Sequence, residues 1–262
     1  MTWGQALLGL TAGFLIASVT APVGISGAVF LLPVQLSLLH VPNPAVTPTN
    51  LLYNVVATPG ALYRYWRQGQ TGGRLALVLI AGTLPGVIAG SFIRARLIPG
   101  PLVFGVVVAA VLIPLGTWLV LSRPARGDQP GRPARMIPAP ALVILAVAVG
   151  CVGGIYGIGG GSILGPILIA SGMALSQVAP AALASTFVTS VVGVATFALL
   201  QVKSSGSIAP DWPLGIACGL GGLVGGYLGA SLQPRLPEQL LRTLLGLLAI
   251  GLAVAYGIQV AL

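Results

Sequence analysis

Residues 157–161 read Gly-Ile-Gly-Gly-Gly, and Pro166 follows them within an otherwise apolar segment. Glycine lacks a Cβ atom and proline lacks an amide hydrogen, so both residue types interrupt helices. A related stretch, Gly-Ile-Ser-Gly-Ala, occupies 24–28 and is followed by Pro33. Paired broken helices at matching places in two halves of a chain are typical of secondary transporters.

The similarity between the two stretches continues downstream, where small, polar and basic residues recur at a constant separation. Pro33 and Pro166 are 133 residues apart, and a longer set of pairs is 136 residues apart. These pairs are Pro44 and Pro180, Thr49 and Ser185, Asn54 and Ser190, Arg67 and Lys203, and Gly90 and Gly226. We therefore predict two transmembrane repeats, 1–121 and 139–262, joined by the linker 122–138, whose prolines, glycines and arginines favour a loop in water.

The composition indicates a membrane protein. Charged residues make up 6% of the chain and apolar residues 56%, and the mean hydropathy is +1.02, whereas soluble domains carry roughly a quarter charged residues. The apolar stretches that we assign to membrane helices are 6–19, 75–93, 102–121, 141–152, 214–232 and 240–262. The net charge of +9 does not indicate nucleic-acid binding, because the cations lie between apolar spans and form no basic stripe.

The segments that follow the two breaks are too short to cross a bilayer as helices. At about 1.5 Å per residue, 28–39 and 162–170 reach only about 18 Å and 14 Å, and the hydrocarbon core is about 30 Å thick. We therefore predict an all-α polytopic membrane protein in which each repeat contains a Gly/Pro-broken re-entrant helical hairpin that lines a cavity. One leading helix, a hairpin and two closing helices make an odd number of crossings, so the two repeats are predicted to be inverted.

The distribution of basic residues predicts the orientation. With the linker in the cytoplasm, nine cations lie inside and three lie outside, as the positive-inside rule requires. The nine are Arg64, Arg67, Arg74, Arg123, Arg126, Arg132, Arg135, Arg235 and Arg242, and the three are Arg94, Arg96 and Lys203. Both termini are then expected outside.

The breaks are suited to anions. The start of a helix carries unpaired amide hydrogens and a partial positive charge, and glycine lets an anion touch those amides. Four such starts, near Gly27, Asn50, Gly160 and Thr186, are expected to converge near the membrane midplane.

The placement of the acidic residues also favours an anion. Asp128, Asp211 and Glu238 all lie outside the apolar spans. A cation–proton antiporter normally carries a carboxylate inside a span, and a metal enzyme needs clustered ligands. No phosphate-binding loop motif occurs either. We therefore predict an anion pathway with no enzyme activity, no cofactor, no metal and no use of ATP by this chain.

The chain resembles the TauE/SafE family of sulfite and organosulfonate exporters over essentially its whole length. The resemblance rests on the run 157–161, on Pro166 and on the Ala-Ser-Thr cluster at 184–186. The first copy departs from the glycine run, with Ser26 and Ala28 in place of two glycines. The resemblance implies a multi-pass protein of the bacterial inner membrane that exports sulfite or an organosulfonate.

The candidate substrate-binding residues are Gly24, Ser26, Gly27, Thr49, Asn50, Asn54, Gly157, Gly159, Gly160, Gly161, Ser185, Thr186 and Ser190. The complete glycine run makes the second copy the first place to look for the anion. The plainer interpretations are helix packing for the glycines and helix capping for Thr49, Asn50, Ser185 and Thr186. The alternatives to a sulfite or sulfonate transporter are a passive anion channel, a permease for thiosulfate or another oxyanion, and a membrane assembly or enzyme component. The expected partners are a small anion and membrane lipid, and the sequence leaves a homodimer open.

Overall fold

The computed structural model describes residues 2–43, 45–97, 138–171, 173–202 and 208–237, with scattered helical positions in 113–121 and 239–254. This part of the chain is mainly helical and contains no strand. Its helices are α1 (Trp3–Thr20), α2 (Ala28–Ser37), α3 (Val46–Arg67), α4 (Gly73–Arg96), α5 (Ala139–Tyr156), α6 (Gly161–Ala170), α7 (Leu175–Val202) and α8 (Trp212–Leu232). Pro44, Lys203 and the linker 122–138 before its last residue lie outside the described residues, as do most of 102–121 and 240–262.

Among the residues that the structure describes, four apolar helical segments are long enough to cross a membrane. They are Trp3–Val23, Gly73–Arg96, Leu175–Val202 and Trp212–Arg235. Helix α3 has 22 residues, about 33 Å at 1.5 Å per residue. It is not among these four apolar segments, and it carries many of the polar candidates. The prediction of an all-α protein with several membrane helices is therefore confirmed for the described part.

Both breaks occur where the glycines predict them. After α1, a short 3-10 turn at Ala21–Val23 ends at Gly24 with φ +73°. Helix α5 ends at Gly157 with φ +81°, and Gly159 has φ +72°. These left-handed conformations are easily adopted only by glycine. The helices that follow, α2 and α6, have 10 residues each, about 15 Å, close to the predicted lengths.

Helices of the first half pack mainly against helices of the second half. Helix α1 packs along α8, α4 packs along α5, and α3 contacts both α7 and α8. Glycines allow this close approach. A Cβ atom built on Gly225 would lie 2.1 Å from the carbonyl oxygen of Phe14, and one built on Gly90 would lie 2.1 Å from that of Cys151. Small residues at such crossings are a regular feature of membrane helix pairs. The two interfaces are thus built alike.

The bundle has two ends, defined here by the cations near them. At the Arg67 end, the Tyr65 hydroxyl donates to the carbonyl of Ala21 over 2.8 Å, which joins the 3-10 turn after α1 to the last turn of α3. At the Arg94 end, Arg94 Nε donates to Thr47 Oγ1 over 3.0 Å, which joins the end of α4 to the start of α3. Arg94 is completely buried. Arg94 therefore makes buried side-chain contacts instead of lying in a loop, and the side of the membrane assigned to it stays a prediction.

Candidate functional site

The starts of α2 and α6 meet in the protein interior. The amide of Ser26 donates to Ser162 Oγ over 3.3 Å, and the hydroxyl of Ser26 donates to Asn54 Oδ1. Asn54 Nδ2 in turn donates to Ser190 Oγ over 3.1 Å. All four residues are buried, and we call them the axis cluster. Asn54 and Ser190 are 136 residues apart, which is the separation found in the sequence for this part of the repeats. Ser26 lies in the segment where the repeats are 133 residues apart, so its equivalent is Gly159 and not Ser162.

A small cavity lies beside the first copy, on the Arg67 side of the axis cluster. The volume that the centre of a water molecule can occupy is about 20 Å³, which is room for about one water molecule. The lining residues come from α1, α3, α7, α8 and the first break, including Gly27 directly before α2. The polar members are Thr20, Ser26, Tyr53, Asn54 and Thr58, and no lining residue is acidic.

Two of these polar groups have no hydrogen-bond partner within the described part of the chain. They are Thr20 Oγ1 and the Tyr53 hydroxyl, and both residues are only 1% exposed. Buried polar atoms are rarely left unpaired in proteins, and each exception needs a reason such as water or a ligand. The cavity is therefore a polar site with free hydrogen-bonding capacity.

The structure brings three predicted residues, Ser26, Gly27 and Asn54, to this cavity. The Cβ position of Gly27 lies 2.3 Å from the Tyr53 hydroxyl, so only glycine lets that hydroxyl reach the start of α2. Sequence analysis missed Thr20, Tyr53 and Thr58. Thr58 was accessible to sequence reasoning, because it follows Asn54 by four residues and shares its helical face.

Three other first-copy candidates stabilise the surrounding structure. Asn50 Nδ2 donates to the carbonyl of Ala28 over 2.8 Å, although its Oδ1 has no partner in the described part. Thr49 Oγ1 accepts the amide of Asp211 over 2.8 Å and so links α3 to the start of α8. Gly24 packs against α7, where its Cβ position is 2.4 Å from Ala179 Cα.

The second copy is closed by packing. The amide of Gly160 donates to Thr189 Oγ1 over 3.1 Å. Cβ positions built on Gly160 and Gly161 lie 2.4 Å from Thr83 Cβ and 1.8 Å from the carbonyl of Ala182. The glycine run therefore lies directly against α4 and α7 and has no open space beside it in this conformation.

The remaining second-copy candidates are the other glycines of that run, Gly157 and Gly159, and the side chains of Ser185, Thr186 and Ser190 near it. The Cβ position of Gly159 lies 2.9 Å from Thr186 Cγ2 and 3.1 Å from Ser190 Oγ, and that of Gly157 lies 2.5 Å from the carbonyl of Thr47. The hydroxyl of Ser185 lies 3.0 Å from Thr83 Oγ1. These contacts connect the second break to both halves of the chain.

The expectation that helices start near Asn50 and Thr186 is wrong. Helix α3 begins at Val46, and α7 begins at Leu175, so Ser185 and Thr186 lie well inside a helix and do not cap it. Pro180 lies inside α7, where a sequence-based argument ends the helix. Neighbouring helices can accommodate such a proline in a membrane bundle. Only two of the four expected starts, those of α2 and α6, therefore meet.

Comparisons with known proteins point to membrane transport. The family described as "Sulfite exporter TauE/SafE" matches residues 9–256. Two proteins of Xylella fastidiosa, from strains 9a5c and Temecula1, are each 28% identical over 265 residues, covering 97% of this chain and 95% of the relative. Both are named "Probable membrane transporter protein". No solved structure matches the chain significantly.

Proposed function

The chain belongs to the TauE/SafE family of sulfite exporters, and we propose that it is a secondary transporter that carries a small sulfur-containing oxyanion across the bacterial inner membrane. Sulfite and organosulfonates are the first candidates. The observation that carries this proposal is the cavity beside the first copy. Its lining combines hydroxyl groups and an amide with the start of a helix, and none of its residues is a carboxylate.

The chemistry of that lining suits an anion. The hydroxyls of Thr20 and Tyr53 are free of partners in the described part, and each can donate one hydrogen bond. The start of α2 adds a partial positive charge. Hydrogen bonds to a charged acceptor are worth about 1.5–3 kcal/mol, so a few such donors account for useful affinity without a buried cation. The absence of a lining carboxylate removes the repulsion that an anion would otherwise meet.

An inverted pair of re-entrant hairpins supplies the conformational change in this proposal. Equivalent residues of two inverted repeats would meet where a two-fold axis passes between them, and the hydrogen bond between Asn54 and Ser190 supports such an arrangement. The reciprocal packing of α1 on α8 and of α4 on α5 has the same symmetry. Rocking of one half against the other about the axis cluster would expose the anion to each side in turn.

The cavity is too small for sulfite in the conformation described here. Its volume of about 20 Å³ for water-sized spheres holds about one water, whereas sulfite has four heavy atoms. Binding of sulfite in this proposal therefore requires the cavity to widen when the halves rock. The closed axis cluster also disfavours a passive channel, which needs a continuous path.

Counterflow of radiolabelled sulfite in proteoliposomes tests the proposal, with a thermal-shift panel of sulfite, sulfate, thiosulfate, sulfoacetate and acetate to rank the anions. Saturable counterflow supports a transporter, and flux at channel rates without counterflow supports the channel. Tyr53→Phe removes one free hydroxyl and should reduce affinity about tenfold. Ser18→Ala is the matched control, because Ser18 Oγ donates only to its own helix at Phe14. Absence of binding and flux for every sulfur anion would refute the proposed function.

A further inference from the structure

We propose that Arg64 is the anion-selecting residue of this transporter, placed at the Arg67 end of the cavity so that its guanidinium meets the anion as it enters. This inference rests on the proposed function. Helix α3 lines the cavity with successive turns at Asn54, Ala57, Thr58 and Ala61. Arg64 follows Ala61 by three residues and so lies on the same face, one turn further towards the Arg67 end.

The side chain of Arg64 lies next to the residues that line the cavity and is not itself part of the lining. Helical side chains lean towards the helix N-terminus, so Arg64 leans back over the turn that contains Ala61. Its guanidinium carbon lies 5.7 Å from the centre of the Tyr227 ring. Tyr227 directly follows Gly226, which lines the cavity from α8. A cation held over an aromatic ring in this way has a defined position.

Part of the guanidinium lacks a partner. Arg64 Nε is shielded from solvent and has no hydrogen-bond acceptor among the described residues. An unsatisfied buried donor on a charged group is more unfavourable than one on a neutral group. An oxyanion at the cavity mouth would satisfy it, and the planar guanidinium matches an oxyanion with two parallel hydrogen bonds.

The neighbouring cation does not share these features. Arg67, which the sequence analysis pairs with Lys203, is exposed to the surroundings of the bundle. The residue 136 positions after Arg64 is Leu200, which is buried and apolar. Arg64 is therefore a feature of one end of the transporter, and it has no counterpart in the second copy.

The test is sulfite counterflow into proteoliposomes containing the full chain, with KM and kcat measured separately for Arg64→Gln, Arg64→Lys and the matched control Arg67→Gln. Arg64→Gln should raise KM for sulfite at least tenfold and leave kcat within about threefold. It should also abolish most of the rise in KM that added salt causes in the wild type, because the screened charge is gone. Arg64→Lys should recover part of the affinity, and Arg67→Gln should resemble the wild type.

Each outcome of these measurements supports or refutes the role of Arg64 in binding the anion. An unchanged KM in Arg64→Gln, or an equal rise in Arg67→Gln, overturns the inference while leaving the proposed function intact. A fall in kcat alone indicates a structural role and also overturns it. If Arg64→Gln does not yield folded protein, the KM of Arg64→Lys for sulfite provides the test instead. A KM raised threefold or more with normal thermal stability supports the guanidinium geometry, and a wild-type KM refutes it. A wild-type protein that transports no sulfur anion instead refutes the proposed function.

Discussion

Asn54→Asp is the substitution that most directly tests whether the cavity binds an anion. The new side chain has almost the same shape, so the change is mainly one of charge. The hydroxyl of Ser26 donates to Asn54 Oδ1 and can donate equally to a carboxylate. Ser190 Oγ now accepts from Asn54 Nδ2, and its hydroxyl can rotate to donate instead. The axis cluster should therefore keep its structure.

The expected loss of transport follows from Coulomb's law. Asn54 lines the cavity, so an anion that contacts this side chain once the cavity has widened lies about 4 Å from it. Two like charges at that distance repel by about 4 kcal/mol at an effective dielectric constant of 20. Since each 1.4 kcal/mol is a factor of ten, kcat/KM for sulfite should fall about a thousandfold near neutral pH.

The assay is sulfite counterflow in proteoliposomes, with Gln5→Glu as the matched amide-to-acid control. Gln5 Oε1 accepts the amide of Thr2 at the start of α1, and an acid there suits a helix N-terminus. It lies fifteen residues before Thr20, about 22 Å along the helix. Gln5→Glu should therefore transport at the wild-type rate.

Acidification should partly restore sulfite transport by Asn54→Asp, because protonation of the new carboxylate removes its charge and its repulsion of the anion. A variant that transports sulfite as well as the wild type at neutral pH would show that no anion enters this cavity. The same conclusion follows if Gln5→Glu loses as much activity, since net charge would then explain the effect. Transport that stays low in acid would point to damage to the axis cluster.

Two further substitutions test the packing of the bundle. Gly225→Ala places a Cβ atom 2.1 Å from a carbonyl of α1 and should destabilise the protein by about 1–3 kcal/mol, seen as a lower thermal midpoint in detergent. Gly4→Ala, whose Cβ position meets only one atom at 3.9 Å, should be neutral or slightly stabilising, and equal destabilisation by both would contradict the argument. Arg94→Met removes the charged hydrogen bonds that Arg94 donates to Thr47 and Asn43, so a cysteine at the nearby buried position Ala45, introduced as Ala45→Cys in a background without native cysteines, should react about tenfold faster with a thiol reagent. Arg96→Gln, which removes an exposed cation two residues away, should leave that rate unchanged, and unaltered labelling in Arg94→Met would show that this contact does not close the Arg94 end.

The two breaks were predictable because they depend on local chemistry. Glycines at 24 and 157 adopt positive φ, a conformation that any other residue would resist. The short helices α2 and α6 then follow from the apolar segments behind those glycines. The separation of 136 residues likewise identified Asn54 and Ser190 as equivalents, and the structure joins these two side chains by a hydrogen bond.

The helix starts and the cavity were less predictable because they depend on tertiary packing. Pro180 suggests a helix start near it, but α7 begins five residues earlier at Leu175. The cavity combines Thr20 at the end of α1 with Tyr53 in the middle of α3. No spacing rule relates two residues on different helices. Only the close approach of α1, α3 and α8 reveals that both hydroxyls face the same space.

The two copies differ in a way that bears on the direction of transport. Tyr53 and Thr58 line the cavity beside the first copy, and the residues 136 positions later are Thr189 and Val194. If rocking opens an equivalent space beside the second copy, the smaller Thr189 replaces Tyr53 there, and Val194 replaces Thr58 without a hydroxyl. Arg64 has no basic counterpart in that copy. We therefore expect the anion to bind at lower concentration from the Arg67 end than from the Arg94 end. The predicted orientation places the Arg67 end in the cytoplasm, so this asymmetry would suit a protein that collects a dilute anion inside the cell and releases it outside.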